Sequence, residues 1–282
     1  MLGELDGRVA VVTGAGSGIG RSLVVALVAE GMRVVAADIE AAALDGTAAL
    51  AGVGAPDRVV TSVTDVRDQA AVDALADRAY DAFGAVHLLC NNAGVFQGGV
   101  LWERTDDELE WVLGVNLWGI LNGVRSFIPR MLAGGEDGHI VNTSSMAGLV
   151  SLPFSGPYVV SKFAALAASE SIGHDLALTG APIGVSVLCP SLVATGIAAS
   201  HRNAPPGLRD RARGEDVQLV EQALTDSTTQ DGMDPDAVAR LVIDAVRAGD
   251  FYIGTKPSFD DQVRQRTDAL LARHLPPMPD ID

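Results

Sequence analysis

Short apolar runs alternate with amphipathic segments along the chain. Val9 to Val12, Val34 to Ala37, Val86 to Cys90, Ile140 to Val141 and Val185 to Cys189 are too short for stable helices and show no in/out alternation. Runs of that kind predict strands covered on both faces. Between them lie apolar stripes at helical spacing: Ile19, Leu23, Ala26 and Leu27, then Val72, Leu75, Ala76, Ala79 and Phe83. A later stripe of Val238, Leu241, Val242, Ala245 and Val246 is introduced by Asp234-Pro235, a helix cap followed by a first-turn proline. Strand–helix alternation predicts an α/β fold, a doubly wound parallel sheet with right-handed crossovers and helices on both faces. No repeat or low-complexity linker interrupts it, so one domain over residues 1–282 is expected.

Residues 196–231 break the pattern. They hold Pro205-Pro206-Gly207, four arginines, several acids and a weak apolar pattern from Val217 to Leu224. A long irregular insertion after the last strong strand predicts a partly helical substrate lid on the side where such sheets bind ligands. Residues 258–282 read as an additional amphipathic helix marked by Phe259, Val263 and Leu270, with an acidic, proline-rich tail.

Composition narrows the function. The 36 Asp and Glu against 20 Lys and Arg give a formal charge of −16, so neither a nucleic-acid partner nor an anionic membrane surface is expected. A chain that is 48% hydrophobic and 20% charged belongs to globular proteins, not disordered ones. The uncharged stretch from Ile140 to Ser161 is long enough to cross a bilayer, but Asn142, Thr143, Ser144, Ser145, Pro153 and Pro157 argue against it. Cys90 and Cys189 give no disulfide framework, and with Glu4 and Asp6 where a signal peptide would be basic, the cytoplasm is expected. The five scattered histidines show no metal-ligand spacing, so no metal is expected.

The first strand leads into Thr13-Gly14-Ala15-Gly16-Ser17-Gly18-Ile19-Gly20 and then directly into a helix. Glycines let backbone N–H groups approach an anion, and the helix N-terminus adds partial positive charge. The pattern G-x-G-x-x-G fails in both registers, because Ile19 or Arg21 stands where the last glycine belongs. A P-loop fails as well, because Arg21-Ser22 follows Gly20. The match is to T-G-x-x-x-G-I-G. In this the chain resembles the short-chain dehydrogenase/reductase family, and the resemblance runs from Leu5 to about Ile253.

The resemblance implies a Rossmann-like, three-layer fold of about seven strands and a nicotinamide dinucleotide held by Gly14, Ser17, Gly18, Ile19 and Gly20. Asp38, closing the second strand, can accept hydrogen bonds from an adenosine ribose diol and repels a 2′-phosphate. Ser17 stands where many NADP-using relatives carry arginine, so NAD is the expected cofactor. Asp65-Val66 resembles the adenine-contacting pair, and Asn92, Ala93 and Gly94 lie in the motif after the fourth strand. Pro190, Val193 and Thr195 keep the positions near the nicotinamide. Ser191 replaces the usual glycine there, which puts the angle of that loop in question.

Tyr158 and Lys162, four residues apart in a helical stretch, share one helical face. A phenol with pKa near 10 is a poor base at neutral pH. A lysine ammonium at about 4 Å, at an effective dielectric near 20, is expected to lower it by up to roughly three units, and the positively charged nicotinamide of an oxidised cofactor to push in the same direction. Tyr158 can then exchange a proton with an alcohol or ketone. Ser144 and Ser145 both follow a strand, and because adjacent strand residues face opposite ways, one of them can point into the site. Spacing alone does not choose, whereas alignment to the family selects Ser145, with Ser144 supporting. The family's fourth catalytic member, an asparagine in a central helix, is matched by Asn116.

The leading expectation is therefore an NAD-dependent alcohol dehydrogenase or ketone reductase. A nicotinamide-binding sensor or scaffold on the same fold is the alternative, and an enoyl reductase or epimerase-like relative fits the motif set less well. Phe96, Leu149, Phe154 and Leu192, with Trp102, Leu152 and Pro153, lie near positions that border the pocket in relatives, suggesting an apolar cyclic or aromatic substrate. Relatives with this pattern imply a homotetramer or homodimer paired through the helices of Asn116 and Tyr158.

Overall fold

The computed structural model describes residues 2–257 and 259–279; Ser258 and residues 280–282, part of the expected C-terminal helix and tail, lie outside the described residues. The chain runs β1 (Val9–Thr13), α1 (Gly18–Ala29), β2 (Arg33–Asp38), α2 (Ala41–Ala51), β3 (Val59–Val63), α3 (Gln69–Phe83) and β4 (Leu88–Asn91). It continues through α4 (Asp106–Leu113), a π-helical turn (Gly114–Trp118), α5 (Gly119–Gly134), β5 (Gly138–Thr143), α6 (Gly156–Thr179) and β6 (Ile183–Cys189). The last part is α7 (Pro206–Arg209), α8 (Glu215–Asp231), α9 (Pro235–Ala248), β7 (Tyr252–Gly254) and α10 (Phe259–Leu271).

All seven strands are parallel, in the order β3-β2-β1-β4-β5-β6-β7. The apolar runs show no alternation because each strand feeds two cores. Val9, Val11, Val35, Leu89 and Ile140 pack on one face against Val72 and Leu75 of α3, Phe127 of α5 and Leu176 of α6. Ala10, Val12, Val34, Leu88 and Cys90 pack on the other against Leu23 and Leu27 of α1 and Val242 of α9. Successive strand residues point to opposite faces, so a strand between two helical layers must be apolar throughout. Each fully buried side chain of this size contributes about 1.5–3 kcal/mol.

Capping follows the sequence at α9. The Asp234 carboxylate accepts from the Asp236 N–H at 2.9 Å, Pro235 opens the first turn, and Gly249 at φ 75° ends the helix. At α4, Thr105 and Glu108 form a reciprocal capping box. The strands differ from expectation at their margins. β4 begins at Leu88 rather than Val86, and β5 extends on both sides of Ile140-Val141 to take in Gly138, His139, Asn142 and Thr143. The polar members of β5 are buried because their side chains bond within the interior: Asn91 Nδ2 donates to Asn142 Oδ1 at 2.9 Å, and His139 Nε2 lies 2.7 Å from Ser186 Oγ.

The sheet order reverses between β1 and β4, where α1 leaves toward one side and α4 toward the other. The crevice beyond the strand C-termini at that switch point is where ligands bind in open α/β sheets. The excursion after β6 opens and closes at one place, since Ala194 N–H donates to Met233 O and Met233 N–H donates to Leu192 O, both at 2.9 Å. Between those bonds the chain makes a 3₁₀ run (Ile197–Asn203), α7 and α8.

Candidate active site

The turn after β1 is built for close approach. Gly14 takes φ +66°, and a Cβ on Gly20 would fall 2.0 Å from Gly14 O, so neither position tolerates a side chain. Ser17 caps α1 without a side-chain bond to its first turn, which leaves those N–H groups facing the crevice. Surrounding side chains hold the turn. Asp38 Oδ2 accepts from Gly16 N–H at 2.8 Å, Thr47 Oγ1 donates to Ala15 O at 2.9 Å, and the Arg21 guanidinium donates to Gly16 O. From β4, Asn92 Nδ2 donates to Thr13 O at 3.0 Å, and Thr13 Oγ1 accepts the Asn92 and Ala93 N–H groups.

Asp38 does not cap α2, whose cap is Glu40. Its Oδ1 accepts the Glu40 N–H at 3.0 Å, and each carboxylate oxygen keeps acceptor capacity toward the crevice. These features, an uncapped helix N-terminus, a side-chain-free cradle and a carboxylate at the end of β2, fit a dinucleotide.

At the other end, α6 presents Tyr158 and Lys162. Ser145, following β5, lies beside the Tyr158 phenol, accepts the Ala147 N–H at 3.1 Å and turns its own hydroxyl toward Pro190 O at 3.5 Å. Ser144 points away, donating to Lys162 O at 2.7 Å. Lys162 is 2% exposed. Its Nζ donates to Thr143 O at 3.0 Å and lies 5.5 Å from the centre of the Tyr158 ring. Asn116 sits in the π-helical turn and does not line the crevice. Its Oδ1 accepts Val95 N–H at 2.8 Å, and its Nδ2 donates to Val95 O and Ser161 Oγ, both at 2.9 Å.

Burial pushes the Tyr158 phenol up to about 12, opposed by the neighbouring Ser145 hydroxyl. Burial also brings the Lys162 ammonium down to about 8. In the protein without ligand, desolvation of the would-be phenolate thus dominates, and the lowering expected from the lysine together with an oxidised nicotinamide concerns the complex.

A cavity of about 360 Å³ joins the two ends. Gly14, Ser17, Gly18, Ile19, Gly20, Asp38, Asp65, Val66, Asn92, Ala93, Gly94, Ser145, Tyr158, Lys162, Pro190, Val193 and Thr195 all line it. Ser191 lines it too, with its N–H bonded to Thr255 Oγ1 at 2.8 Å and no positive φ, so this loop does not require glycine.

Of the pocket candidates, Phe96, Leu152, Pro153 and Leu192 line the cavity, and Leu149, Phe154 and Trp102 do not. Leu149 packs against the cluster of Met146, Val187, Cys189 and Phe259, while its neighbour Val150 lines the cavity. Phe154 stands at φ 54° and is 45% exposed, and Trp102 is 84% exposed. The walls not foreseen are Trp111 from α4, Val115, Val220 and Leu224 from α8, and Phe259 from α10. The weak apolar pattern from Val217 to Leu224 was the one sequence signal for the α8 wall. Across the dinucleotide end, Arg202 Nη2 pairs with Glu40 at 3.0 Å, and Asn203 Nδ2 donates to the same carboxylate at 2.7 Å.

Residues 8–206 match the family model described as short chain dehydrogenase. A crystal structure of a short chain dehydrogenase/reductase from Burkholderia phymatum in complex with NAD is 42% identical, covers 98% of this chain and 99% of that chain, and superposes with a TM-score of 0.95. The 1-deoxy-11-beta-hydroxypentalenate dehydrogenase of Streptomyces exfoliatus is 36% identical over 284 residues, 98% of this chain and 94% of its own. The C alpha-dehydrogenase of Sphingobium sp. strain SYK-6 is 32% identical over 270 residues, 95% of this chain and 87% of its own. The chain belongs to the short-chain dehydrogenase/reductase family, and its activity class is that of the family's oxidoreductases.

Proposed function

We propose that the protein is an NAD-dependent dehydrogenase that interconverts a secondary alcohol and a ketone on a fairly apolar cyclic or aromatic substrate. The observation that carries this reading is the single cavity with Asp38 at one end and the Ser145–Tyr158 pair, backed by Lys162, at the other. The complex of the Burkholderia phymatum relative with NAD supports the choice of dinucleotide, as does the Asp38 carboxylate. The apolar walls Val95, Phe96, Trp111, Val150 and Leu224 support the choice of substrate. So does the name of the Streptomyces exfoliatus relative, a dehydrogenase of a hydroxylated compound.

When bound, the dinucleotide exchanges hydride with the carbinol carbon and, oxidised, brings positive charge to the site. The chain's own residues do the rest. Ser145 Oγ donates to the substrate oxygen as charge develops there. Tyr158 Oη takes the hydroxyl proton in oxidation and returns it in reduction. Lys162 Nζ has three donors, one of them on Thr143 O, and the others are available to the nicotinamide ribose. Asn116 acts as a positioning residue that fixes the π-helical turn to Val95 and Ser161.

On this reading the chain is a single catalytic domain, with the excursion after β6 as a substrate lid. Trp118, 51% exposed, and Val160, 48% exposed, favour pairing of two copies through the helices they occupy. Among the described residues no helix is long and apolar enough to cross a membrane and no cluster could hold a metal ion. Cys90 and Cys189 are both free and buried, which supports the cytoplasm.

The sensor reading loses to the intact Ser145, Tyr158 and Lys162 set, and one variant tests the choice. Tyr158→Phe is expected to lower turnover by at least about a thousandfold across a panel of secondary alcohols, followed by NADH absorbance, with NADH affinity within about twofold of wild type. Near-normal turnover in that variant would overturn the assignment.

A further inference from the structure

The wall that α8 contributes to the cavity is held from outside the cavity. Asp216, in the first turn of α8, accepts the Val100 N–H at 2.8 Å and the Arg104 Nη2–H at 2.9 Å. Arg104 is buried, with 5% of its side chain exposed. Its Nε donates to Val100 O at 3.2 Å, its Nη1 to Glu108 Oε1 at 3.2 Å, and Glu103 lies 3.9 Å away. One arginine thus faces three carboxylates, one of which belongs to the excursion after β6. Removing the arginine would leave carboxylates from two segments facing each other at low exposure, which drives the segments apart.

The seat beneath α8 is made by two glycines. Gly99 at φ +101° brings its backbone against the clamp, and a Cβ there would fall 2.6 Å from Asp216 Oδ2. A Cβ on Gly98 would fall 2.2 Å from Val220 Cγ1 and 3.1 Å from Phe96 Cε1. Val220 is four residues beyond Asp216, hence on the same face of α8. Val220 and Phe96 both line the cavity, and the Phe96 ring stands 5.1 Å from the Tyr158 ring. The clamp, the glycine seat and the substrate wall are consecutive parts of one contact.

We infer that Arg104 and Asp216 are positioning residues for substrate size: they hold Val220 and Leu224 against Phe96 and so set the far wall of the pocket for the apolar body of the alcohol. This rests on the dehydrogenase reading above. The clamp touches neither the tetrad nor the dinucleotide end, so its loss acts on substrate fit alone. Opening α8 lowers the fraction of molecules with a complete pocket, and the affinity for a substrate that needs the wall falls by the same fraction.

The test compares Asp216→Asn, Arg104→Met, Arg104→Lys and Gly98→Ala with the wild-type protein. The readouts are KM and kcat for secondary alcohols from propan-2-ol to bulky cyclic ones, NADH affinity by fluorescence, and the rate of limited proteolysis between α7 and α8. Losing a charge-assisted hydrogen bond is expected to raise KM for the bulky alcohols about tenfold or more, with kcat, propan-2-ol kinetics and NADH affinity within about twofold. Cleavage is expected to accelerate, and Arg104→Lys to recover part of the KM. Gly98→Ala, which forces the stiff Val220 side chain outward from the opposite side, should reproduce the KM pattern. Unchanged KM for bulky alcohols in Asp216→Asn, or equal losses for small and bulky alcohols together with NADH affinity, would overturn the inference. If wild type oxidises nothing in the panel, the dehydrogenase reading fails separately. Proteolysis then judges the clamp, and unchanged cleavage would remove it as well.

Discussion

The phenol of Tyr158 must change its acidity between the free protein and the working complex, and the size of that change follows from the geometry. In the free protein burial holds it at about 12. The Lys162 ammonium stands 5.5 Å from the ring centre, and at an effective dielectric near 20 its attraction for a phenolate is about 3 kcal/mol, or about two pKa units. Even the full pull of that charge would bring the phenol no lower than its ordinary range. Lys162, itself brought down to about 8 by burial, stays mostly charged at neutral pH and loses this influence above pH 8. The lysine therefore does not make a neutral-pH base by itself. A second positive charge of similar leverage is required, and in alcohol oxidation the oxidised cofactor carries one.

The expected result is specific to the form of the cofactor. The chain has three tyrosines, so the tyrosinate absorbance of Tyr158 is the difference between wild type and Tyr158→Phe. Without cofactor, no Tyr158 tyrosinate should form below about pH 9.5. Saturating NAD+ should lower its midpoint by about two units or more, and NADH should lower it much less. Lys162→Met should raise the midpoint in the NAD+ complex by about two units and move the pH profile of alcohol oxidation alkaline by the same amount. A Tyr158 midpoint near 7 in the free protein, or equal midpoints with NAD+ and NADH, would refute the reasoning.

Two further outcomes follow. Asp38→Asn removes the charge facing the ribose and keeps one of the two bonds that Asp38 accepts from Gly16 and Glu40 N–H, so the ratio of NADPH to NADH dissociation constants should fall about tenfold by fluorescence titration; an unchanged ratio would show that Asp38 does not choose the cofactor. His139, fully buried in β5, has its pKa lowered from 6.5 to about 4 by burial. Between those values the unfolded chain binds a proton that the folded one does not, so about 3 kcal/mol of stability is lost as pH falls from 6.5 to 4. Urea midpoints at pH 7 and pH 4.5 should show that slope in wild type and a shallower one in His139→Asn; identical slopes would place the acid sensitivity elsewhere.

The features readable in the sequence share one property: each is local in the chain. The glycine turn, Asp38, Asn92 to Gly94 and the Tyr158–Lys162 spacing each bring their groups together within one element or one tight turn. The central strands were readable because a strand between two helical layers has no polar side. The edge strands β3 and β7 were not, since β3 is only partly buried and carries Thr61 and Ser62, and β7 spans three residues.

The substrate pocket shows the limit most clearly. Its walls come from α4, α8, α10 and the segment after β5, and no periodicity links Trp111 to Val220 or Phe259. Proximity in sequence even misleads, because Leu149 and Val150 are neighbours and only Val150 lines the cavity. The burial of Tyr158 is unreadable for the same reason. The lysine's charge is written in the sequence, but the burial of the phenol, with the Phe96 ring against it, is assembled only by the folded chain. In this protein, chemistry held within one turn can be read from spacing, whereas selectivity and acidity, which depend on how separate elements exclude water from one another, cannot.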